Sequence, residues 1–104
     1  MPDAMPARIA RLQRGLTVQL RPKGQSMVPV IRSGQLCTLA PVKDHRDLQV
    51  GDVVLSRVQG AVRLHKISAI DRPKGRVQIS NQRGFVNGWT GYGKVYGILV
   101  KVEP

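Results

Sequence analysis

The apolar residues of this chain occur in short runs, each ended within about ten residues by a turn-forming Gly, Pro, Asn or Asp. From residue 17 onward, these runs have the length and the alternation that are typical of β-strands. The predicted strands cover residues 17–21, 36–42, 52–58, 61–70, 76–80 and 94–102. The pattern therefore predicts a mostly β fold: a single small domain of coiled, partly barrel-like antiparallel sheets.

The first residues of the chain follow a helical period instead. Over residues 4–14, apolar side chains recur on one stripe, which consists of Met5, Ile9, Leu12 and, beyond the helix, Leu16. Asp3 is placed to cap the start of this helix and Gly15 to end it. We therefore expect a short N-terminal segment, residues 1–15, that is either helical and packed through its stripe or frayed, and a β-domain over residues 16–104.

Several kinds of site and location are not expected from the composition. Cys37 is the single cysteine, so no internal disulfide and no cysteine-based zinc site can form, and its alternating strand favours a buried thiol. Two histidines in unlike surroundings and scattered carboxylates show no metal-ligand spacing, and we expect no cofactor. No apolar run approaches the roughly 20 residues of a membrane span, and no signal peptide is visible. We therefore expect a soluble, cytoplasmic protein.

The chain is strongly basic, with 17 Lys and Arg against 6 Asp and Glu and a formal net charge of +11. Such an excess favours anionic partners such as nucleic acid or an acidic protein. A nucleic-acid binding groove needs basic residues that converge into one continuous patch, which here would include the loop of Arg83 and Trp89. The basic residues form no block along the chain, so we expect them to scatter over the surface, and nucleic acid is a possible but not a favoured partner.

A serine between a glycine and a proline, in the segment from Gly24 to Pro29, is the first candidate for chemistry. The glycine permits a sharp turn that exposes the hydroxyl of Ser26, but a serine nucleophile needs a base. His45 lies in a polar loop and is expected to be solvated, whereas His65 lies within a predicted strand. Ser26 and His65 therefore form a candidate dyad, although a lone strand histidine also occurs as an ordinary structural group.

Four separated segments occur in an order that resembles a known superfamily. They are the run from Gly24 to Pro29, then Gly34, then Leu48 to Val54, and finally Val62 to Ile67, which holds His65 followed by Lys66. This arrangement is similar to the superfamily that joins signal peptidases and the SOS-repressor (LexA-like) serine autoproteases, in its histidine-base type. The resemblance covers about residues 17–102. The loop that contains Asn87-Gly88-Trp89 is also similar to small phage-type members, which implies a phage or prophage source.

The resemblance implies a serine peptidase in which Ser26 attacks a peptide carbonyl and His65 serves as the general base. Histidine-type members orient the base with an acidic residue near a downstream G-D-N sequence. The matching stretch here, 79–83, offers the side-chain carbonyl of Asn81 in that place. Met27 and Pro29 would shape the loop and its apolar substrate pocket, and the substrate would be an extended peptide added as a strand.

Two alternatives remain open at this level. Trp89 lies in a polar, Gly-rich loop and either plugs the end of the β-domain or covers the Ser26 site, where it would contact the substrate. The chain as a whole is either an active peptidase or an inactive peptidase-fold binding module that uses its basic surface for nucleic acid or an acidic protein partner. The oligomeric state does not follow from the sequence.

Overall fold

The strands predicted from residue 17 onward are present in the computed structural model, which describes residues 5–104. The predicted cap Asp3 lies outside the described residues. One helix, α1, spans Met5–Gln13. The seven strands are β1 Val18–Leu20, β2 Leu36–Pro41, β3 Val53–Val58, β4 Ala61–Asp71, β5 Arg76–Ser80, β6 Val86–Gly91 and β7 Val95–Glu103. Two single-turn 3₁₀ helices, His45–Asp47 and Tyr92–Lys94, lie in the connections.

All seven strands of the described chain belong to one antiparallel sheet in the order β1-β2-β7-β3-β4-β5-β6. The prediction of a mostly β, single-domain fold with a short helix is confirmed. The sheet is open, however, with β1 and β6 at its edges. Edge strand β6 approaches β3 through a side chain, because Thr90 Oγ1 donates to the carbonyl of Arg57 at 2.7 Å, but the two strands form no ladder.

The last edge strand, β6, is the element that the sequence pattern does not predict. Its run of six residues contains two glycines and an asparagine, which have low β propensity. It is held instead by pairing with β5, from Arg76 opposite Gly91 to Ser80 opposite Val86. Tertiary pairing therefore outweighs local propensity over this stretch.

The central residues of strands β3 and β4 are buried on both faces, because two apolar clusters lie on opposite sides of the sheet. Leu55 and Leu64 are a cross-strand pair that faces the first cluster, and Val54 and Ile67 face the second. The first cluster contains Leu12, Val18, Leu20, Met27, Ile31, Cys37, Leu39, Leu55 and Leu64. The second contains Leu48, Val54, Val58, Ile67, Val77, Ile79 and Val95. The burial of both faces fixes the register of β4, since a slip of one residue would exchange its two faces.

Helix α1 packs against β7 and covers the first cluster. Leu12 is buried, Met5 and Ile9 pack against the cluster, and Leu16, beyond the end of the helix, is 42% exposed. Leu12 seats on Gly97 of β7, where a Cβ would lie 2.9 Å from Leu12 Cδ1 and 3.2 Å from the carbonyl oxygen of Ala40. Within residues 5–104, no helix has the length and the apolar character needed to cross a membrane.

We predict that Gly97→Ala destabilises the protein by about 1–3 kcal/mol, because the new methyl group overpacks the seat of Leu12. Urea denaturation measures the change in the free energy of unfolding. Gly93→Ala is the matched control, since a Cβ at Gly93 would have no neighbour within 4 Å. The cost of Gly97→Ala should shrink in a Leu12→Ala background, and equal costs in the two backgrounds would contradict this contact.

Candidate active site

The loop between β1 and β2, residues 21–35, holds Ser26 in a fixed position. Gly24 has a φ of +108°, a conformation that favours glycine, and its N–H donates to Ser33 Oγ at 3.1 Å. The carbonyl of Ser26 accepts from the N–H of Gln82 at 2.9 Å, which ties the loop to the segment after β5. The Val28–Pro29 peptide bond is cis. The half-buried Ser26 hydroxyl therefore stands on a backbone that is held from two sides.

The structure brings Ser26 and His65 together. Ser26 Oγ lies 3.0 Å from His65 Nε2, although 39 residues separate them in the chain. On the other side of the ring, His65 Nδ1 lies 2.7 Å from Asn87 Oδ1. An amide oxygen only accepts hydrogen bonds, so Nδ1 carries the proton and Nε2 is free to accept one from the serine. Ser26, His65 and Asn87 therefore form a continuous hydrogen-bonded chain.

Asn87 is the residue that the sequence reasoning missed at this position. The pairing of β5 with β6 shifts register between Ile79 and Ser80, so Ile79 pairs with Gly88, Ser80 pairs with Val86, and Asn87 is left as the bulged residue. A β-bulge redirects a side chain out of the regular alternation. The sequence signal that could have found it is the Asn-Gly pair within a stretch of otherwise weak strand propensity.

The prediction that Asn81 orients the base is wrong. Its side-chain oxygen accepts from the backbone N–H groups of Arg83 and Phe85, both at 2.9 Å. Asn81 therefore closes the turn that leads into β6. It contributes to the site only indirectly, by setting where the strand that carries Asn87 begins.

The pKa of His65 is held below its ordinary value. Burial is the main cause, because the ring is only 7% exposed and a buried imidazolium loses hydration. The hydrogen bond to Asn87 opposes this shift, and the positive charge of Arg63 adds to it. A lowered pKa keeps His65 neutral, and so able to accept a proton, into mildly acidic solution.

Ser26 and His65 line a cleft of about 370 Å³. Met27, one of the predicted substrate contacts, also lines it and is buried. The other two predicted substrate contacts do not line the cleft: Pro29 is exposed, and Trp89 lies on β6 with the guanidinium of Arg76 4.8 Å from its ring centroid. The apolar wall is formed instead by Leu20, Ile31, Leu55, Val62 and Leu64.

The remaining candidate groups lie elsewhere. His45 is not simply solvated, since its Nε2 lies 2.9 Å from the carbonyl of Val95 and its ring stacks on Tyr92. Lys66, next to His65, does not line the cleft. Among the described residues, no group of three or more His, Cys, Asp or Glu side chains is arranged to hold a metal ion.

Comparisons of the chain with protein-family models, with curated proteins and with solved structures found no match.

We predict that His65 titrates below its ordinary value of about 6.5. NMR detection of its ring signals against pH measures the midpoint. Arg63→Gln should raise the midpoint, because it removes a positive charge that disfavours the imidazolium, and Asn87→Ala should lower it further. Arg14→Gln removes an exposed charge outside the cleft and serves as the control. A midpoint above 6.5 in the unmodified protein would contradict this view of the ring's surroundings.

Proposed function

We propose that this chain is a serine peptidase of the signal-peptidase and SOS-repressor type, in which Ser26 is the nucleophile and His65 the general base. The observation that carries the proposal is the hydrogen-bonded chain Ser26–His65–Asn87 at the wall of a cleft. A nucleophile within reach of a base, which is in turn oriented by a third group, is the arrangement that activates a serine hydroxyl. The superfamily's motif order in the sequence supports the same assignment.

The geometry permits a two-step acyl transfer. Ser26 Oγ attacks the peptide carbonyl carbon while its proton passes to His65 Nε2, and the amide oxygen of Asn87 stabilises the imidazolium through Nδ1–H. The N–H of Ser26 donates no hydrogen bond within the described residues and is available to the developing oxyanion. His65 then returns the proton to the leaving amine. Water, deprotonated by the same ring, releases the acyl group from Ser26.

An extended substrate has a place to pair beside these groups. Residues 61–65 of β4 pair with β3 on one side, but pairing with β5 on the other side begins only at Lys66. This unpaired edge borders the cleft, because Val62, Arg63 and Leu64 line it. A peptide added as a strand along the edge would use the free backbone groups and run past Ser26.

We predict that a fluorophosphonate probe labels Ser26, because an activated serine oxygen attacks the phosphorus, displaces fluoride and becomes phosphonylated, whereas ordinary serines do not react. Mass spectrometry of the labelled protein identifies the site. His65→Ala should slow labelling by about 10²–10⁴-fold, the effect of losing a general base. Lys66→Ala should leave the rate close to that of the unmodified protein, since Lys66 points to the opposite face of the strand.

Two controls make this result decisive. Ser26→Ala should abolish labelling, and Ser68→Ala, which removes a hydroxyl bonded to the carbonyl of Gln78, should not change it. Unchanged labelling in His65→Ala together with loss in Lys66→Ala would assign the base to the neighbouring residue. No labelling of a folded protein would instead support the binding-module alternative.

We predict that Asn87→Asp raises the pKa of His65, because a carboxylate at Nδ1 stabilises the imidazolium. At pH values above that pKa, the variant should also be labelled faster than the unmodified protein. Asn87→Ala should lower the rate, on the order of tenfold to a hundredfold, since the ring loses its orienting partner. Asn81→Asp is the matched control, because it keeps the oxygen that the turn requires. A response to Asn81→Asp and none to Asn87→Asp would reverse the two roles.

A further inference from the structure

Basic side chains gather around the Ser26 cleft. Five of the 17 in the chain line it: Arg8, Arg21, Lys23, Arg32 and Arg63. They come from α1, from the loop that carries Ser26 and from β4, so the fold joins residues that lie up to 55 positions apart (63 − 8) in the sequence. The expected scatter of basic residues over the surface therefore does not hold at this cleft. The loop of Arg83 and Trp89, whose convergence with the other basic residues would favour nucleic acid, is not part of this cluster, since neither residue lines the cleft.

The positive charge of the cleft is not neutralised by the described part of the chain. No described Asp or Glu lines the cleft, and the three ion pairs of residues 5–104 lie elsewhere, between Arg46 and Asp44, Arg76 and Asp71, and Lys101 and Glu103. Two of the five cations are held in place by carbonyl groups rather than by carboxylates. Arg8 Nε donates to the backbone carbonyl of Gln19 at 3.1 Å, and an Arg21 guanidinium N–H donates to the backbone carbonyl of Gly34 at 2.8 Å.

Arg63 places this charge next to the reacting groups. It precedes His65 by two residues on β4, so both side chains project from the same face of the strand, roughly 7 Å apart along it. The side chains of Lys23, Arg32 and Arg63 are exposed, whereas apolar side chains form the wall of the cleft. Cations at an apolar cleft wall suit a ligand with carboxylates beside an apolar segment.

We propose that the cleft selects acidic peptides, with an apolar residue against the wall and Asp or Glu side chains paired with Arg63, Lys23 and Arg32. This inference rests on the proposed function and defines its substrate class. Charge complementarity would steer such peptides to the cleft and set their register along the free edge of β4. Selectivity would come from the substrate's carboxylates rather than from a deep side-chain pocket.

A peptide fits the cleft better than a nucleic acid does. Proteins that bind single strands stack the bases on aromatic side chains within a basic groove. The four aromatic residues of this chain, Phe85, Trp89, Tyr92 and Tyr96, all lie outside the lining of the cleft. The cleft also contains the serine and histidine pair, which suits an acyl group rather than a phosphodiester backbone.

The test measures binding to the Ser26→Ala protein, which cannot cleave. The probe is a fluorescein-labelled peptide of about ten residues, with alanine and valine at its centre and two glutamates at each end. Its partner probe carries glutamine in place of every glutamate. Fluorescence anisotropy should show that the glutamate peptide binds roughly tenfold more tightly, as expected for a few partly shielded charge pairs, and that added salt reduces the difference.

Paired variants separate a local effect from the effect of net charge. Lys23→Gln with Arg63→Gln should remove most of the preference for glutamate. Arg14→Gln with Lys74→Gln changes the net charge equally at exposed positions outside the cleft and should preserve the preference. Equal affinity for the two peptides, or equal losses in the two double variants, would overturn the proposal. An unlabelled thymidine oligonucleotide that displaces the glutamate peptide at lower concentration than the unlabelled peptide does would overturn it in favour of nucleic acid.

A further measurement distinguishes this inference from the proposed function. Fluorophosphonate labelling of the unmodified protein reports the serine chemistry without any peptide. Labelling together with equal binding of the two peptides would overturn the acidic selectivity and leave the peptidase proposal standing. Glutamate-selective binding without labelling would support the acidic selectivity of the cleft and overturn the peptidase proposal.

Discussion

The imidazole of His65 is almost fully removed from solvent, and a buried ring must have both nitrogens hydrogen-bonded to offset its lost hydration. Ser26 satisfies one nitrogen from the loop between β1 and β2, and Asn87 satisfies the other from the edge strand β6. The side chain of His65, on the central strand β4, thus connects the loop next to one edge strand, β1, with the other edge strand, β6. The loop and the edge strand are also linked through the backbone, because Gln82 donates to the carbonyl of Ser26.

This arrangement depends on strands β3 and β4, which the two apolar clusters bury on both faces. Tight packing on both sides leaves β4 little freedom to shift along its axis, so the position of His65 in the wall of the cleft is fixed. The partners of the ring are held less by packing and more by hydrogen bonds in loops and at a bulge. His65 is therefore the most tightly held member of the candidate site, and Ser26 and Asn87 are positioned against it.

Local patterns in the sequence are sufficient to predict most of the strands and the helix. The period of the apolar residues indicates which side chains are buried, and turn-forming residues indicate where each element ends. The pairing of Ser26 with His65, which lie 39 residues apart, follows from the order of four separated motifs and not from any local signal. Asn87 was not predictable in this way, since its direction depends on a bulge formed only when β6 pairs with β5. The basic cleft was hidden for a similar reason: its cations are dispersed in sequence and meet only in the folded chain.

Cys37 lies in β2 within the first apolar cluster and has no exposed surface, and burial raises the pKa of its thiol. A thiol reagent can therefore reach it only when the structure around β2 opens transiently. Since the chain has a single cysteine, every modification event reports that one opening. The rate at which a thiol reagent modifies Cys37 therefore measures how often the first apolar cluster opens to solvent, and Leu55 and Leu64 of that cluster also line the cleft.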